Sequence, residues 1–145
     1  MEREVILGTG IDLVENDRIG DVLQRWDAHF LMRVFTEAES AYCRSKASPV
    51  QHYAARFAIK EAVSKALRTG IGPHVGWLDI EVTKEEESGA PSVRLSGAAK
   101  RYAEQCGVAR ILVSLAHTRH YAVAQAVVIG READGDASID SSPDA

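Results

Sequence analysis

Arg56-Phe-Ala-Ile-Lys-Glu-Ala-Val-Ser-Lys-Ala66 is the stretch on which the fold turns. With its flanks it forms the longest periodic element of the chain, a helix expected from about Val50 to Arg68. At the helical period, Ala55, Ala58, Ile59, Ala62, Val63, Ala66 and Leu67 share one broad arc, which predicts a core-facing stripe. The alanines predict close approach to whatever that stripe meets. Gly70 stands where a left-handed helix end is expected. The opposite arc carries Lys60, Glu61, Ser64, Lys65 and Arg68, yet Tyr53 and Phe57 sit among them. Rings on such a face predict a ligand or a second subunit that covers it.

Upstream, Val5-Ile-Leu-Gly-Thr-Gly-Ile-Asp-Leu-Val14 is β-branched and apolar, and reads as a buried strand ending near Asp12. Its two glycines allow close backbone approach. Asn16 is placed to cap a short helix through Val22, Leu23 and Trp26, weakened by Gly20. Thr36-Glu-Ala-Glu39 is a capping-box pattern that opens a short helix to about Arg44, with Ser48 and Pro49 in the loop after it. Downstream, Leu78–Thr83 and Ser92–Leu95 alternate around Ser88-Gly-Ala-Pro91 and predict a hairpin. A helix capped by Ser96 runs to Cys106 and stops at Gly107. Two strands, 111–116 and 121–129, flank the polar turn His117-Thr-Arg-His120.

Length and composition set the frame. The chain of 145 residues suits one domain, and 46% hydrophobic against 26% charged residues is the balance of a globular protein with a real core. The net charge of −4 resides entirely in residues 131–145, which carry five acids and one base; residues 1–130 hold 16 of each sign. That even balance lacks the basic footprint of a nucleic-acid binder. The expected organisation is therefore a domain over 1–130 and an acidic, disordered tail over 131–145. No stretch approaches the ~20 apolar residues of a membrane span, and Met1-Glu-Arg-Glu lacks the apolar core of a signal peptide, so a cytoplasmic location is expected. Cys43 and Cys106 make neither a CxxC motif nor a metal pair and read as reduced packing residues.

Two constellations carry chemistry. Asp12 and Glu61 suit Mg²⁺, a hard ion that takes oxygen ligands at about 2.0–2.1 Å and is held by one or two carboxylates with phosphates and water. Their ordinary reading is a turn cap at Asp12 and an exposed pair between Glu61 and Lys65. Lys65, Lys60, Arg56 and Arg68 crowd one helix end and could neutralise a diphosphate, or form a solvated basic face. His117 and His120 lack the further ligands a zinc site needs, but suit contact with a phosphate. No GxSxG or P-loop pattern occurs.

Taken together, Gly8-Thr-Gly-Ile-Asp-Leu-Val-Glu15, Arg56–Ala66 and Val113-Ser-Leu-Ala-His-Thr118 resemble the three signature blocks of bacterial holo-acyl-carrier-protein synthases, the trimeric type within the 4′-phosphopantetheinyl transferase superfamily. The likeness spans roughly residues 5–130, and the middle block, close to RFAxKEAxxKA, is the specific one. It implies an α+β fold, a small antiparallel sheet packed with helices, assembling as a homotrimer with sites between neighbouring subunits. The implied activity is Mg²⁺-dependent transfer of 4′-phosphopantetheine from coenzyme A to a serine of apo acyl carrier protein, as used in fatty acid biosynthesis. Asp12 and Glu61 match the family's metal ligands, and Glu61 and Lys65 are the implied catalytic pair. Arg56, Phe57, Ser64, Lys65, Gly70, His117 and Thr118 are implied coenzyme A contacts, and Arg18 the contact for the carrier protein. On this view coenzyme or a partner chain covers Tyr53 and Phe57. The rivals are a Mg²⁺-dependent hydrolase of diphosphate nucleotides and a non-catalytic carrier-binding module.

Overall fold

The computed structural model describes residues 3–132, without the side chains at 26 and 27; residues 133–145, most of the expected tail, lie outside the described residues. Strand β1 (Arg3–Glu15) leads into helix α1 (Asn16–Val34), α2 (Glu37–Arg44) and α3 (Pro49–Ala66). After a single 3₁₀ turn at Trp77–Asp79 come β2 (Ile80–Lys84), β3 (Pro91–Leu95), α4 (Gly97–Gln105), β4 (Val108–His117) and β5 (Tyr121–Glu132). β1, β5 and β4 form an antiparallel sheet in that order, while β2 and β3 make a separate hairpin. The architecture is the expected α+β one. Arg131 and Glu132, assigned from composition to the tail, are the last residues of β5.

Helix α3 lies across β1 and β5, and small residues set how closely. The expected stripe from Ala55 to Leu67 is buried throughout, facing Ala122, Ala124, Ala126 and Val128 of β5, which are buried too. A Cβ placed on Gly8 would run into the Ala66 carbonyl, and one on Gly10 into the Ala62 carbonyl. β1 therefore touches the helix backbone itself, which only glycine permits. Residues of β1 two apart share a face, so Asp12 also faces α3, one step beyond Gly10.

Several boundaries differ from expectation for identifiable reasons. β1 continues to Glu15, so Asp12 is internal to the strand, opposite Ala124. α1 extends to Val34 rather than ending near Trp26, because Ile19, Leu23, Phe30, Leu31 and Val34 continue one apolar stripe. Gly20 interrupts nothing; a Cβ there would meet only Val50 at ordinary contact distance. Asn16 is not the cap: Glu15 is. The Asn16 amide instead donates to the Thr118 and Arg119 carbonyls at 3.3 and 3.0 Å, tying the start of α1 to the β4–β5 turn. Pro49 is the first residue of α3, where its missing N–H costs nothing. The capping box of α2 is present in full, with Thr36 N–H on Glu39 at 2.8 Å and Glu39 N–H on the Thr36 hydroxyl at 3.2 Å. Cys43 is buried, as a packing residue should be, but Cys106 is exposed.

Among the described residues, no element covers the far face of the sheet. Ile6, Ile11 and Leu13 of β1, Leu112 of β4 and Tyr121 of β5 are exposed there. Gln125 and Val123 stand opposite Ile11 and Leu13 and continue this largely apolar surface.

Candidate active site

The register of β1 on α3 assembles the acidic site. Going up the strand, Gly8 lies over Ala66 and Gly10 over Ala62, so Asp12 arrives beside the turn that carries Glu61 and Lys65. The Lys65 ammonium donates to the Asp12 carboxylate at 2.9 Å and to the Ile11 carbonyl at 3.1 Å. Burial, then the Asp12 charge, push the Glu61 carboxyl above its ordinary value, with Lys65 opposing. Asp12 and Glu61 line one cleft of about 370 Å³ together with Arg18, Phe57 and Phe30. The pairing imagined within α3, Glu61 with Lys65, is thus replaced by one between elements, Asp12 with Lys65. Among the described residues no group of three or more His, Cys, Asp or Glu side chains is gathered for a metal. A cation held by Asp12 and Glu61 would leave positions open for water or substrate oxygens.

Phe57 forms the wall of this cleft, its ring 5.0 Å from Trp77 and 6.3 Å from Phe30 in stacked geometry. Tyr53 needs neither ligand nor partner to cover it. It is buried within the chain, with its ring 4.9 Å from Phe35.

Lys60 is a correction. Its side chain is fully buried and ion-paired with the equally buried Glu39 at 2.8 Å, and it donates to the Trp77 carbonyl at 3.0 Å. It faces no phosphate. Burial lowers its pKa, and the Glu39 charge opposes that shift. Ser64 is fully buried as well, and its hydroxyl donates to the Glu61 carbonyl at 2.8 Å inside the helix.

A second, basic group gathers at the other end of α3. The Arg56 guanidinium lies 4.1 Å from the centre of the Tyr42 ring, with Lys46 at 4.7 Å and Lys84 at 5.1 Å. Burial raises the Tyr42 hydroxyl, but the three cations together prevail and lower its pKa. His52 is held below its ordinary value by burial and by the charges of Arg56, Lys46 and His117. Arg56 and His117 thus both act on His52. Tyr42, His52, Lys46 and Lys84 were not singled out from the sequence, since only tertiary contact joins them. Arg56 lies five residues before Glu61, about 7.5 Å along the helix. Thr118 holds the β4–β5 turn by accepting the Tyr121 N–H at 3.1 Å.

The end of α3 is unusual. Thr69 N–H returns to the Ser64 carbonyl at 3.2 Å and Arg68 N–H to the Lys65 carbonyl at 2.9 Å, the two bonds of a Schellman motif. Its left-handed position is occupied not by glycine but by Arg68, at φ 69°. Holding a side chain there costs about 1–2 kcal/mol. Gly70, at φ 64°, follows with open space around it.

Comparison with known proteins places the chain in one family. The chain is 46% identical over 124 residues to the holo-[acyl-carrier-protein] synthase of Koribacter versatilis, covering 86% of this chain and 98% of the relative. It is 50% identical over 126 residues to that of Ruminiclostridium cellulolyticum, covering 86% and 92%. The crystal structure of Helicobacter pylori holo-[acyl-carrier-protein] synthase in complex with coenzyme A matches with a TM-score of 0.74 at 34% identity, over 83% of this chain and 98% of that one. With the profile of the 4′-phosphopantetheinyl transferase superfamily matching residues 8–126 as well, the chain belongs to that superfamily, among its holo-acyl-carrier-protein synthases.

Proposed function

We propose that this chain transfers the 4′-phosphopantetheine group of coenzyme A to a serine of an apo acyl carrier protein and releases 3′,5′-ADP. One observation carries the reading: the register of β1 on α3 sets Asp12, Glu61 and Lys65 together at a cleft, in a chain whose relatives are named for this activity.

Mg²⁺ belongs to the proposal. The donor set fits it, because two carboxylates face one partly buried cleft and the Glu61 carboxyl is raised by burial and then by the neighbouring Asp12 charge. An ion bound there would neutralise charge on the diphosphate. The rest of the reaction falls to the chain's own side chains. Lys65 donates to phosphate oxygens and holds Asp12 in place. As the carrier serine oxygen bonds to the β-phosphorus, the bond to the departing 3′,5′-ADP oxygen breaks. Glu61, whose carboxyl is raised by burial and by Asp12, accepts the serine proton directly or through water. Positioning and charge compensation do most of the work in such a transfer.

The nucleotide end of the coenzyme is assigned to the basic group of Arg56 and His117 with Lys46 and Lys84. Arg18, exposed on the first turn of α1 at the rim of the acidic cleft, is assigned to the carrier protein. A homotrimer would bury the apolar outer face of the sheet around Ile11, Leu13 and Leu112. A cytoplasmic setting completes the reading.

The test is intact-mass spectrometry of an apo carrier protein incubated with the chain, coenzyme A and Mg²⁺. The expected result is a carrier heavier by one phosphopantetheine and one equivalent of 3′,5′-ADP. Release of 3′,5′-ADP without carrier present would overturn the transferase assignment in favour of hydrolysis.

A further inference from the structure

Among the described residues, the Arg68 side chain makes no hydrogen bond or ion pair that would account for its place at the strained end of α3. Arg68 occupies the one position of the Schellman motif that suits glycine. A cation at a helix C-terminus gains from the dipole, but at an exposed site that gain is smaller than the cost of the left-handed backbone. Arg68 is exposed and makes no ion pair among the described residues. Its side chain runs back over β1, with Cγ 3.5 Å from where a Cβ on Gly8 would stand. With Lys65 and residues 7–9 it lines a cleft of about 440 Å³. Lys65 joins this cleft to the acidic site, since its ammonium is bonded to Asp12.

Charge balance gives that cation a purpose. Asp12, Glu61 and Lys65 leave one uncompensated negative charge, and a divalent ion reverses it to one positive charge. A diphosphate diester brings two negative charges, so one more cation is required for neutrality. We infer that Arg68 is a second cationic contact for the coenzyme's diphosphate, acting beside Lys65, and that its left-handed backbone is retained to aim the guanidinium over Gly8. Arg suits this role because its planar fork engages two phosphate oxygens at once. The inference rests on the coenzyme A reading above.

The experiment uses the full chain, Arg68→Gly and Arg68→Lys, with thermal unfolding, and calorimetric titration of coenzyme A and of 3′-dephospho-coenzyme A in Mg²⁺. Arg68→Gly should keep or raise the Tm, by up to about 6 °C, while weakening both ligands by roughly tenfold. Arg68→Lys should recover part of the affinity and none of the Tm. Equal losses for the two ligands place Arg68 on the diphosphate; a loss confined to coenzyme A would overturn the inference in favour of the 3′-phosphate. Unchanged affinity in Arg68→Gly, or a fall in its Tm, would overturn it too. If the wild-type chain bound neither ligand, the functional reading itself would fail, whatever the variants did.

Discussion

Removing the Lys60 ammonium, as in Lys60→Met, should be among the most destabilising single changes in this chain. The Glu39 carboxylate accepts Thr36 N–H at 2.8 Å, Val82 N–H at 2.9 Å and the Lys60 ammonium at 2.8 Å, and both charged side chains are fully buried. Breaking a buried pair by deleting one partner costs ~3–5 kcal/mol, because it strands the other charge. Here two backbone donors still stabilise the carboxylate, so the lower end, about 3 kcal/mol, is expected. For a domain of this size that lowers Tm by roughly 10 °C. Adding Glu39→Gln to Lys60→Met should recover part of the loss, since the amide removes the stranded charge yet keeps an acceptor for Val82 N–H. Urea unfolding of the two singles and the double, followed by circular dichroism at constant m, closes the cycle. A Lys60→Met loss below about 1 kcal/mol, or a double mutant that is simply additive, would refute the claim that the pair is a coupled, dry unit.

Three further outcomes follow from the same geometry. Because burial and Asp12 raise the Glu61 carboxyl, the folded chain holds a proton that the unfolded chain has already released, so stability declines as pH rises from the ordinary carboxylate value through the raised one. Glu61→Gln should therefore raise Tm at neutral pH and abolish that slope while cutting transfer by orders of magnitude; a lower Tm would count against the shared acidic site. If the proposed homotrimer forms through the exposed sheet face, Ile11→Glu combined with Leu13→Glu should leave circular dichroism unchanged but reduce the sedimenting mass to that of one chain, and an unchanged mass would remove this face from the proposed trimer. Arg18→Glu should raise the KM for carrier protein more than that for coenzyme A, and equal increases would move Arg18 away from the docking surface.

How much of this was legible in the sequence depended on the range of the interaction. The α3 stripe, the Thr36 capping box and the hairpin are local patterns, and they appear where periodicity and cap chemistry put them. Gly8 and Gly10 announced a close approach but not its partner, which turned out to be the backbone of α3 itself. Lys60 was misjudged because sequence shows which arc of a helix a residue occupies and not what lies opposite. Seen in the helix alone, Lys60 joins Lys65 and Arg68 as one basic face, whereas Glu39, a residue already explained by its cap, takes Lys60 out of solvent. The basic group around Tyr42 was illegible for the same reason, being assembled from α2, the loop after it, α3 and the end of β2.

Neighbouring charges on α3 therefore do opposite jobs. Lys60 is satisfied within the chain and fixes the Trp77 carbonyl; the Trp77 ring in turn stacks on Phe57 at the wall of the acidic cleft. Glu61, one residue on, is left with a like charge beside it and a carboxyl raised by burial. Arg68, at the helix end, sits in a backbone conformation that glycine would adopt without strain. A sequence selected for stability alone would relieve both: an amide at 61 and a glycine at 68 preserve every hydrogen bond described here. That these two local faults lie within two helical turns of each other, on the side of α3 that meets Gly8, Gly10 and Asp12, separates the working end of the helix from the part that merely holds it. Substitutions at Glu39 and Lys60 should therefore be read out first in stability, and those at Glu61 and Arg68 first in ligand handling.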